Sequence, residues 1–381
     1  MPQPEMPIRS PFESSIAKPG QGTVVLSLLP PNNPTFTTLT YKYPLKLVPR
    51  TGGFVPTPKS SSLSDSCPSR PVHLYLLTYG GGLLPGDHIE VSIKLDPRTR
   101  MVVTTPQGST KIFKTDSNNS DNSPNVIKGH RKEMPANPHL SYMSQQSLDV
   151  KIGCQAALCY LPDPSVPFKN SRYSQVQTFT VDAAAKGDQR SSLCVLDWVT
   201  QGRTSRGENW NLHVWRGRNE VWATDEKTGK SRLLLRDSVI LDDETDHLNG
   251  SEESDGDLPP QVGLLPLNSI IQERTRPHGV VGTLILSGPV FESLGSYMLN
   301  QFTSLPRIGS RNWSSESSSA PESSPSTKGD VTWTAARVRA GFVLVKFGAK
   351  DFGTAKLWLG GLLREEGTIV QEFGEEALFC L

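Results

Sequence analysis

The chain has 381 residues, with 39 Lys and Arg set against 38 Asp and Glu. That balance argues against a protein that works on nucleic acid or an anionic membrane surface, and no apolar run approaches the roughly 20 residues of a membrane span. The length suffices for one large domain with a substantial core, and 32 Gly with 31 Pro fit a loop-rich β protein carrying solvated inserts.

The five cysteines (Cys67, Cys154, Cys159, Cys194 and Cys380) contain no CxxC pair. They read as small buried thiols, with Cys154 and Cys159 in the strand-like "GCQAALCYLP". Free thiols fit a reducing compartment. The opening "MPQPEMPIRSPFESS" has no apolar core of a secretory signal, so a soluble cytoplasmic protein is expected.

Along the chain, four stretches lack apolar periodicity and are rich in Ser, Asn, Pro and charge: 50–71, 115–138, 242–261 and 309–330. Each is expected to be a disordered insert within a single domain spanning 1–381. Between them the period is mostly two. "HIEVSIKL" alternates Ile89, Val91, Ile93 and Leu95 against polar neighbours, the pattern of a half-buried strand. "DPRTR" turns the chain and "MVVTTP" returns. "NLHVWRGRNEVWAT" reads as two strands around the turn "RGRN", and "SRLLLRDSVIL" as a further strand. Helical spacing appears late, with Phe291, Leu294, Met298 and Phe302 on one face. After a strand in "ARVRAGFVLVKFGA", a helix capped by Asp351 is expected to bury Phe352, Ala355, Leu359 and Leu362. Trp358, Leu362, Leu363 and Phe379 look like surplus apolar surface near the chain end, suited to a partner. The fold class is mainly β, with a small α+β portion toward the C-terminus.

The stretch "HLYLLTYGGGLLPGDHIEV" invites a phosphate-loop reading, and its chemistry refuses it. Gly81 and Gly86 have the P-loop spacing, yet Asp87 stands where a Lys is needed, and no helix follows to supply N–H groups and a dipole. What remains is a tight, partly left-handed connection that presents Asp87 and His88. That pair leaves two readings open: a plain turn, or a metal-handling group such as the centre of a small metal-dependent hydrolase. The hydrolase needs at least three convergent ligands, and the seven histidines are scattered.

Four segments together carry a resemblance: the glycine loop, "VVTTPQGSTKIFKT", "YLPDPSVPFKNSRYSQVQTFTVD" and "LDWVTQGRTSRGENW". In this order and spacing they are similar to the signatures of the urease accessory protein UreD (UreH) family, in a longer, eukaryotic-type, fungal-like form. The resemblance implies a β-helical stack of strands and a non-catalytic chaperone for urease maturation. It further implies partners: urease apoprotein, a UreF-like accessory protein and, through the complex, a UreG-like GTPase. No cofactor is implied as tightly bound; Ni²⁺ is cargo in transit. By motif position, the family's proposed nickel route falls on Asp87, Thr110 and Asp197, with Asp237 as the candidate beyond "LLLR". Gly81, Gly82, Gly86, Lys111, Gly202, Arg203, Gly207 and Glu208 are the matching structural positions. Few, spaced oxygen ligands suit passage of a dication, since a complete site would hold it. The plainer alternatives are turn capping for Asp87, a buried ion pair with an Arg such as Arg203 for Asp197, and a loop-shaping ion pair for Arg203 with Glu208.

Overall fold

The computed structural model describes residues 18–51, 69–105, 110–115, 142–225, 228–243, 270–305 and 330–381. Two sheets and a helical layer make up these parts. The first sheet orders β14 (Ser231–Asp242), β13 (Val214–Thr224), β11 (Arg172–Asp182), β8 (Ser144–Ile152), β5 (His88–Leu95), β1 (Gln21–Leu29) and β2 (Asn33–Tyr41). The second orders β16 (Val331–Arg337), β17 (Val343–Ala349), β15 (Val280–Ser287), β12 (Ser192–Thr200), β9 (Ala157–Tyr160), β6 (Arg100–Thr104), β4 (Val72–Thr78) and β3 (Leu45–Thr51). A two-stranded ribbon pairs β7 (Lys111–Ile112) with β10 (Val166–Pro167).

From β4 to β13 the chain alternates between the large sheets, and each new strand lies parallel to the previous one in its own sheet. This winding is compatible with a helical stack of strands. Antiparallel hairpins close the ends, β1 with β2 and β13 with β14 on one side, β3 with β4 and β15–β17–β16 on the other.

Period two decides which face each strand buries. β5 alternates buried Ile89, Val91, Ile93 and Leu95 with exposed neighbours, so its sheet has one wet face. β12 is buried at every position because apolar layers cover both its faces. One core fills the space between the sheets, from Val24, Leu148 and Phe179 to Leu74, Tyr160 and Val195. A second lies behind the other sheet, where Cys159, Leu196, Trp198 and Val345 meet α2 (Glu292–Thr303), α3 (Phe352–Glu366) and α4 (Thr368–Phe373). A short α1 (Ile270–Thr275) precedes β15.

Several sequence expectations change here. "DPRTR" does not lead into a hairpin, because β6 crosses to the second sheet beside β4 and β9. "RGRN" is no turn: β13 runs straight through it, and Gly217 is small because a Cβ there would lie 2.5 Å from the Trp215 ring and 3.1 Å from Asp197. The stretch 336–349 is the end of one strand and the whole of the next, bent at Arg339–Gly341. Arg50 and Thr51 complete β3, Asp242 completes β14, and the remainder of the four inserts lies largely outside the described residues, as does Cys67. Cys154 sits in a turn before β9, its thiol donating to Asp182 Oδ2 at 3.0 Å. Asp351 caps α3 as expected, accepting the Thr354 N–H at 2.8 Å, but Leu363 rather than Leu362 is the innermost of that turn, and Phe352 stays 37% exposed. Trp358, Leu362 and Leu363 are not surplus surface; they pack into the second core.

Candidate functional site

The four signature segments, far apart in sequence, meet along one side of the stack. The glycine loop opens with a turn of 3-10 helix at Tyr79–Gly81, where Gly80 and Gly81 take positive φ, and it runs between two strands without an α-helix. Leu83 then bridges Ile112 of β7, its N–H donating to the Lys111 carbonyl at 2.8 Å. Gly82 is required by this approach, since a Cβ would stand 2.5 Å from that same carbonyl. β7 pairs with β10, Phe113 meets Phe168 edge-on at 5.2 Å, and the Arg203 guanidinium lies 3.6 Å above the Phe168 ring. Ser165 bridges Val199 of β12, which completes the strip.

Arg203 and Glu208 form the loop-shaping ion pair. The Arg203 guanidinium grips both carboxylate oxygens, and the Arg203 N–H donates to Glu208 Oε2 at 2.8 Å. Gly202, at φ 105°, passes close to the Pro167 carbonyl, and Gly207, at φ 71°, closes the short turn between the pair. Arg203 is therefore not the partner of Asp197.

Asp197 points between the sheets, from the side of β12 opposite Trp198. It accepts a 2.7 Å hydrogen bond from Gln175 Nε2 and a 2.8 Å bond from Asn219 Nδ2, both neutral amides. Tyr173 Oη lies within hydrogen-bond reach of both Gln175 Oε1 and Gln146 Oε1, at 3.1 and 3.3 Å. Burial pushes the Asp197 carboxyl up to about 6; the two amide bonds resist this, the Asp237 charge adds to it, and Lys346 opposes it.

Strand register extends this polar seam. Gln177, Asn219 and Asp237 stand level across β11, β13 and β14, all facing the same interior. Asp237 receives Lys346 Nζ on Oδ1 at 2.6 Å, while Arg236, one residue earlier, turns outward to Glu220. Asp237 Oδ2, Asn219 Oδ1 and Gln177 Oε1 are buried with no hydrogen-bond partner among the described residues. Across β12, β15 and β17, Asp197, Thr283 and Lys346 form the facing row.

At the other end of the seam, Asp87 immediately precedes β5. Its carbonyl accepts the Gln145 N–H at 2.8 Å, and Ser144 pairs with Tyr173 in register. Its side chain caps the Leu84–Asp87 turn, with Oδ2 accepting the Leu84 N–H at 2.8 Å and Gly86 supplying φ 83°. His88 faces solvent on the opposite side of the strand, so carboxylate and imidazole diverge. Among the described residues, no group of three or more His, Cys, Asp or Glu could hold a metal. Thr110 is half-buried in the turn immediately before β7, its carbonyl accepting the Val166 N–H at 3.0 Å, and Lys111 is exposed. The sequence had marked the two inner carboxylates but missed Gln146, Gln175, Gln177, Asn219 and Lys346. No helix among the described residues is long and apolar enough to cross a membrane.

A family model described as UreD urease accessory protein matches residues 29–375. "Urease accessory protein 4" of Cryptococcus neoformans var. grubii is 31% identical over 287 residues, which cover 73% of each chain. An "uncharacterized urease accessory protein ureD-like" of Schizosaccharomyces pombe is 29% identical over 318 residues, 84% of each chain. "Urease accessory protein D" of Oryza sativa subsp. indica is 27% identical over 260 residues, covering 68% of this chain and 62% of that protein. A family match across most of the chain, on a mainly β fold in which the four signature segments converge, leads to one conclusion: this chain belongs to the UreD family of urease accessory proteins.

Proposed function

We propose that this protein is a non-catalytic urease maturation factor that binds urease apoprotein together with UreF-like and UreG-like partners and passes Ni²⁺ toward the urease active site. The family membership supports the maturation role. The observation that carries the nickel step is the buried Asp197 carboxylate, which among the described residues is bonded by two neutral amides and directly by no cation, in a seam that continues through Asn219 to Asp237. A carboxylate buried without a directly bonded counter-ion is costly in a purely structural role. It is suited to receiving a dication that arrives and leaves.

On this reading Ni²⁺ enters or leaves near the Asp87 turn and Thr110, and Asp197 and Asp237 are its inner stations. Each offers one carboxylate with few further ligands, so the ion is attracted without being trapped. The protein would act in the cytoplasm, in keeping with the buried free thiols of Cys159, Cys194 and Cys380. The competing hydrolase reading, centred on Asp87 and His88, has no support from the diverging side chains.

The test is Asp197→Asn, assembled with its UreF-like and UreG-like partners and apo-urease. A complex that forms normally but yields urease low in nickel is the expected result. Assembly and nickel loading both at wild-type level would refute the route.

A further inference from the structure

The seam has a feature that passage alone does not need. Its solvent end, between β14 of one sheet and β17 of the other, is occupied by a lysine. Lys346 approaches Asp237 from the opposite sheet, its side chain 45% exposed while that of Asp237 is 9% exposed. The ammonium bonds Oδ1 alone, and Oδ2 stays buried and unpartnered. Asn219, level with Asp237 and itself 1% exposed, also has an unpartnered oxygen, and its amide nitrogen bonds Asp197. One flexible cation from solvent thus covers a run of buried oxygens with unused lone pairs.

We propose that Lys346 is a resident counter-cation that locks the solvent end of the seam and must be displaced from Asp237 before a divalent cation can pass there. This rests on the nickel-route reading and adds its regulation. The chemistry is exchange of one cation for another, with no bond to protein broken beyond the Lys346–Asp237 ion pair. An ammonium is a compact charge on a flexible stem, able to swing into water when a doubly charged ion replaces it. Removing it should leave Asp237 uncompensated and make the seam hold a dication too well. A lock of this kind keeps abundant divalent ions from lodging in an empty seam, because every entrant must first outcompete a tethered charge.

Equilibrium dialysis of the full-length chain against Ni²⁺ alone tests the lock. Lys346→Met and Lys346→Gln, both neutral at a half-exposed position, should each bind Ni²⁺ about tenfold or more tighter than wild type. Lys346→Arg, which keeps the charge, should stay near wild type. Adding Asp237→Asn to Lys346→Met should abolish the gain. Neutral variants that bind no tighter than wild type, or a gain that survives loss of Asp237, would overturn the proposal. The route is judged separately by the nickel content of urease matured with Asp197→Asn. If that urease is nickel-poor while the lysine variants bind as wild type does, the route stands and the lock falls. If that urease is nickel-replete, the route falls, and the affinity of the lysine variants still decides whether Lys346 guards a cation site.

Discussion

Replacing Asp197 with asparagine should stabilise the folded chain at neutral pH. Burial, countered only in part by the Gln175 and Asn219 bonds, lifts this carboxyl from its ordinary 3.8 to about 6. A rise of about two pKa units corresponds to about 3 kcal/mol that the native state loses when the group is ionised. The native state holds the proton more tightly than the unfolded chain does. The residue's stabilising contribution is therefore complete below about pH 4, erodes between about pH 4 and 6, and is gone above that. Asparagine does not ionise, and the site can receive its amide, because a flip of Asn219 would turn the unpartnered Oδ1 toward the new N–H₂. The assay is urea unfolding followed by tryptophan fluorescence, with wild type and variant compared from about pH 7.5 down to 4.5. The variant should be more stable by about 2–3 kcal/mol at the upper end, and the gap should close toward the lower end. A variant less stable than wild type at neutral pH, or a gap that does not change with pH, would refute the reasoning.

Three further outcomes follow from the strip of motifs and the helical layer. Gly82→Ala forces a Cβ against the Lys111 carbonyl and the Phe113 ring, so the loop should part from β7 at a cost of about 2 kcal/mol or more, read as a lower urea midpoint. Arg203→Ala leaves Glu208 buried without its cation and strips the cover from Phe168; a loss of about 3 kcal/mol is expected, with Arg203→Lys recovering only part because it lacks the two-pronged grip. Asp351→Ala removes the α3 cap and should cost about 1 kcal/mol, measurable as an earlier thermal transition, with Ni²⁺ affinity unchanged.

What the sequence revealed was mostly local. The alternation in "HIEVSIKL" gives the buried face of β5 correctly, and Asp351 gives the α3 cap, because both are set by residues within a turn or two. The refusal of a phosphate loop also rested on neighbours, and strands do flank the glycines. Pairing across the stack was not legible. Period two tells which residues share a face but not which strand lies alongside, so the parallel winding and the crossing of β6 stayed hidden. Gly217 looked like a turn residue because a glycine kept small for Trp215 and Asp197 leaves the same mark in sequence. The inner amides left a usable signal: Tyr173, Gln175, Gln177 and Phe179 share one parity in β11, and glutamine between two buried aromatics on a core-facing row marks a polar seam. Lys346 left none. On an alternating strand it reads as a solvated side chain, and its partner lies 109 residues away.

Asp87 and Asp197 carry the same functional group in two physically different situations, and this decides what each can do on the proposed route. The Asp87 oxygen that accepts the Leu84 N–H adds a side-chain cap to a turn that the Asp87 N–H already closes onto the Leu84 carbonyl at 3.0 Å. Its half-exposed position lets water share the charge, and an ion meeting it needs to shed little of its own hydration. Asp197 is buried from bulk solvent and, among the described residues, is bonded by amide dipoles rather than a cation, so its field reaches further along the seam. Asp237 sits between these cases, buried like Asp197 yet neutralised from outside by Lys346. An ion moving inward from the Asp87 turn would therefore meet a weak, hydrated attraction, then a strong bare one, then one already matched by a cation. On the proposed route such a gradient would draw an ion in from the turn and slow it at Asp197 without trapping it. Onward travel then depends on what displaces Lys346, and a docked partner presenting its own carboxylate to that ammonium would supply the displacement.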